Sequence, residues 1–102
     1  MMYRETLNVA AKDNIDAISL MVAVEVKFQL DKYNKHILFY AKNPHVMFEE
    51  ICEFVEHCYI KSEGYSIENI AYATCLLIYE EHKKLFNLTK TDVYNKVDNI
   101  WR

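Results

Sequence analysis

Glycine and proline are almost missing from this chain, which has a single example of each, Gly64 and Pro44. Tight β-turns draw on glycine for its positive φ, so sandwiches and barrels are poorly supplied. The same shortage excludes P-loops and dinucleotide fingerprints, which need several glycines to bring backbone N–H groups close to a phosphate. Cysteine is scarce and odd in number. Cys52, Cys58 and Cys75 fall inside apolar helical patterns, not in the dense framework of a disulfide-stapled secreted domain, which predicts a reducing, cytoplasmic setting. The longest apolar stretch, residues 15–30, is interrupted by Asp16, Glu25 and Lys27, and no charged segment leads into an apolar run with a small-residue cleavage site. Neither a membrane span nor an export signal is expected.

What the chain does have is the balance of a packed core under a charged skin, with 52% hydrophobic and 26% charged residues. At 102 residues there is room for one domain, spanning 1–102. With turns in short supply, the expected fold is all-α, a compact bundle of four to five helices. Ten lysines against two arginines, with many Asn, Ile and Tyr residues, is the usage expected of an AT-rich genome such as that of a low-GC bacterium, its phages or a large DNA virus.

The helix starts are the most legible features. Asn43 is a good N-cap and Pro44 suits the first helical position, where its missing N–H is not needed. Phe48, Ile51, Cys52, Val55, Cys58 and Tyr59 then share one face, with Met47 and Phe54 at its margin and Glu49, Glu53 and Glu56 opposite. Gly64 is placed to end this helix. Ser66 caps the next, with Glu68 in its first turn and Tyr65 positioned to staple onto Ile70; it should run to about Phe86. Its core face reads Ile67, Ile70, Ala71, Thr74, Leu77, Ile78 and Leu85. Asn87 breaks it. Thr89 caps a last helix with Asp92 as its capping-box partner, Leu88 stapling onto Val93, and Val97, Ile100 and Trp101 carrying the apolar stripe onward.

Residues 13–42 have two readings. As helix, Asn14-Ile15-Asp16-Ala17-Ile18 repeats the opening of Ser66-Ile67-Glu68-Asn69-Ile70. As strand, Val22, Val24, Val26, Phe28 and Leu30 alternate with Ala23, Glu25, Lys27 and Gln29, and residues 36–41 could pair back, giving an α+β fold with a hairpin at 22–41. The hairpin loop lacks glycine, which favours a long helix buried on two sides, then a shorter one. Residues 1–12 show no strong period.

The residues that could carry chemistry do not converge. His57 and Cys58 are adjacent and point about 100° apart on a helix, so they cannot work as a pair. Glu53 and His57 have the four-residue spacing of helical metal ligands, but one pair is not a site, and Phe54 and Tyr79 stand where a di-iron Glu-x-x-His would need an acid. The chain reads as non-enzymatic, with no catalytic residue, metal or cofactor expected. Two helices joined by Asn87-Leu88-Thr89 have the outline of a helix-turn-helix, offering Lys90, Thr91, Tyr94, Asn95 and Lys96. A net charge of -3 argues against nucleic acid.

Charge is unevenly placed. Residues 43–82 hold eight glutamates and one lysine, and residues 83–102 hold five basic residues and two aspartates. Glu49, Glu53 and Glu56 form an uncompensated stripe, which reads either as a solvated face or as a docking stripe for a basic protein. A second stripe, Tyr72, Leu76, Tyr79 and Lys83, is either an interface, possible in a homodimer, or core if the N-terminal helix packs on it. The expected function is a small protein-binding module or inhibitor, antitoxin-like in character. The alternative is a helix-turn-helix-like DNA-binding regulator.

Overall fold

The computed structural model describes residues 17–33, 37–59 and 66–101. Five α-helices follow one another: α1 (Ala17–Tyr33), α2 (Ile37–Tyr40), α3 (Pro44–Tyr59), α4 (Ile67–Glu81) and α5 (Lys90–Asp98), with a closing 3-10 turn at Asn99–Trp101. The all-α bundle is the observed fold, and among the described residues no strand forms. The expectations placed on residues 1–16, on Gly64 and Tyr65, and on the side chains of Tyr59 and Trp101 lie outside the described residues.

Three helix starts are built as the sequence implies. The Asn43 side-chain oxygen accepts from the backbone N–H groups of His45 and Val46 at 3.1 and 3.2 Å. Ser66, in extended conformation, accepts from the Asn69 N–H. Thr89 and Asp92 form the reciprocal capping box, the Thr89 N–H donating to the Asp92 carboxylate at 3.0 Å and the Asp92 N–H to the Thr89 hydroxyl at 3.2 Å. Each satisfies helix-end donors that would otherwise be orphaned, worth about 1 kcal/mol. The Thr89 hydrogen bonds hold the Asp92 carboxyl below its usual range.

The bundle is organised around α4, against which α1, α3 and α5 all pack. Every residue from Ile70 to Tyr79 is buried, so this helix has no solvent side. Tyr72, Leu76 and Tyr79 are no more than 2% exposed. They belong to the core because the end of α5, the turn at Ala41 and Phe86 cover that side, with Asp98 against Tyr72 and Ala41, Phe86 and Lys96 against Tyr79. Its polar atoms are answered inside the fold. Thr74 donates its hydroxyl to the Ile70 carbonyl at 2.7 Å, and the Tyr79 hydroxyl donates to the carbonyl of Ala41, just past α2. The Tyr72 hydroxyl reaches the Asp98 carboxylate at 3.4 Å. Burial pushes the Tyr79 phenol and the Cys75 thiol well above their ordinary ranges.

Residues 22–33 are helix and 37–40 helix again, so the hairpin reading is overturned. Leu20, Ala23, Val26 and Leu30 face the core at helical spacing, while Val24 and Phe28 point outward. The apparent alternation came from superposing these two helical stripes. The helix is also buried on one side only, among the described residues, and not on two. One ion-pair cluster joins it to the centre: Lys27 meets both Asp31, at 2.7 Å, and Glu81 at the end of α4. Burial alone would lower the Lys27 pKa, but the two carboxylates outweigh it and raise it.

Two boundaries differ from the pattern. The core line of α3 runs through Met47, Ile51 and Val55, with Phe48 and Cys52 at its flank, and Cys58 is exposed one turn beyond Val55. Likewise α4 ends at Glu81 rather than near Phe86, its cap residue His82 leaving helical geometry at φ -109° and ψ 19°. The turn that follows swings Leu85 outward, where it is 68% exposed, and brings Phe86 edge-on to Tyr79 with ring centroids 5.9 Å apart. Asn87 closes the turn in left-handed conformation at φ 54°, a geometry asparagine tolerates better than most residues.

Replacing Tyr79 with phenylalanine strands the Ala41 carbonyl and should cost about 1–3 kcal/mol in denaturant unfolding. Leu85→Ser should stay within about 0.5 kcal/mol, because Leu85 contributes little to the core.

Candidate functional site

Glu49, Glu53 and Glu56 occupy the outer face of α3, and all three are exposed. Their places follow from the core line on the opposite side: with Met47, Ile51 and Val55 turned inward, positions 49, 53 and 56 point away. None of the three makes an ion pair with a described residue, whereas Lys27 is paired with Asp31 and Glu81, and Lys83 with Glu80 at 3.2 Å. Like charges at three- and four-residue spacing cost the helix a few tenths of a kcal/mol per pair.

The structure adds Glu68 to this set. It stands exposed in the first turn of α4, held by the Ser66 hydroxyl at 3.2 Å. The half-buried Cys52 thiol shows how closely the acids gather. Burial is the main cause of its rise to about 11, and the charges of Glu68, Glu49 and Glu56 add to it. The sequence offered Glu68 only as a favourable charge at a helix start. Its nearness to α3 depends on consecutive helices packing side by side, which α3 and α4 do.

Of the second proposed set, Tyr72, Leu76 and Tyr79 lie in the core and only Lys83 reaches the surface, where it pairs with Glu80. The basic residues suggested for DNA reading are divided in their engagements. The Lys96 ammonium lies 5.6 Å from the Tyr79 ring centroid, a cation–π contact that draws it back toward the core, while Lys90 is exposed. Glu53 and His57 are both exposed, and among the described residues no three His, Cys, Asp or Glu side chains come together to hold a metal ion. Among the described residues no helix is long and apolar enough to cross a membrane.

A surface feature that the sequence reading missed lies on the outer side of α1. Ile18, Met21, Val24 and Phe28 are 51%, 60%, 37% and 61% exposed. The signal was present as a second apolar stripe in the same helix, which the expectation of two-sided burial absorbed.

No family model, curated protein or solved structure matches this chain.

The three cysteines should separate in alkylation by an uncharged reagent at pH 8, read by mass spectrometry. Exposed Cys58 should react first and Cys52 much more slowly, with Cys75 protected until the chain unfolds. Because the Cys52 thiol is held at about 11, its rate should still be climbing beyond pH 9, where an ordinary thiol levels off.

Proposed function

We propose that this chain is a non-enzymatic protein-binding module that docks a basic segment of a partner protein on the outer face of α3. Glu49, Glu53 and Glu56 provide the stripe, and Glu68 extends it across to α4. The observation that carries this reading is the contrast in pairing. Among the described residues these exposed carboxylates have no cationic partner, while Asp31, Glu80 and Glu81 each have one. A lysine- or arginine-rich segment would relieve the mutual repulsion as it bound, so part of the binding energy comes from removing an existing cost. Such a surface steers association and makes it sensitive to salt. It suits a small cytoplasmic inhibitor or accessory protein, where the partner supplies the chemistry and the module supplies shape and charge.

Reversing the stripe with Glu49→Lys, Glu53→Lys and Glu56→Lys should reduce capture of a stoichiometric partner from host lysate at least tenfold, matching the loss that high salt produces in the parent chain. Thermal unfolding of the triple variant should stay close to the parent's, since all three positions are exposed. Undiminished capture by the folded variant would overturn the reading.

A further inference from the structure

We draw no further inference here: the strongest candidate, the exposed apolar face of Ile18, Met21, Val24 and Phe28 on the outer side of α1, carries nothing because nothing in the structure shows what covers it.

Discussion

The rest of this fold depends on a helix that has no contact with solvent along its middle. Between Ile70 and Tyr79 each side chain of α4 is covered, so three other helices must be present to cover it. A helix apolar on every side is stable only at the centre of a bundle, and the remaining elements take their positions from that requirement. The few polar atoms it carries are tied to fixed points: Thr74 to its own preceding turn, Tyr79 to the end of α2 and Tyr72 to the end of α5. Each tie exchanges a desolvation cost for a specific geometry, which is how a mainly apolar core comes to select one arrangement of its helices. The Lys27 cluster does similar work at the rim, where one ammonium answers two carboxylates from two helices.

Because α1 and α3 spend their inner faces on the same central helix, their outer faces are what they can offer to other molecules. The two faces have opposite chemistry. On α3 the outward positions are carboxylates, whose fields reach far enough to bias encounters before contact. On α1 they are aliphatic and aromatic, and they act only at contact, by removing surface from water. The two faces share no side chain.

Much of this organisation was legible in the residues because local rules dominate where helices begin. Asn43-Pro44, Ser66 and the Thr89–Asp92 pair act on neighbouring N–H groups, so no knowledge of the fold is needed to assign them. The exposed acids of α3 were equally readable, since a carboxylate seldom enters a core without a partner. Tertiary packing decides the rest. Whether Tyr72 and Tyr79 face solvent depends on where α5 and the turn at Ala41 lie, and tyrosine is at home in either place. For α1 the difficulty was reversed: with apolar residues on both sides, periodicity could not say which side the core would use, and an interior on two sides was the natural expectation. Leu85 was misplaced because α4 unwinds at His82, one turn before the apolar pattern stops. Glu68 joined the acidic group through packing between helices, for which the linear order carries no direct signal.

The position of the central helix along the chain has a consequence for how the protein is made. It is the fourth of the five described helices in chain order, and the inner faces of α1 and α3 have their main partner in it. At roughly 5–20 residues per second, the interval between completing Tyr33 and completing Glu81 is several seconds, long compared with the microseconds in which a helix forms. For the first part of that interval the nascent chain holds α1 without its main partner, and from the completion of Tyr59 it holds both α1 and α3 in that condition. The core therefore cannot begin to close until residues 67–81 emerge, and it is completed only when Val93, Val97 and Ile100 follow.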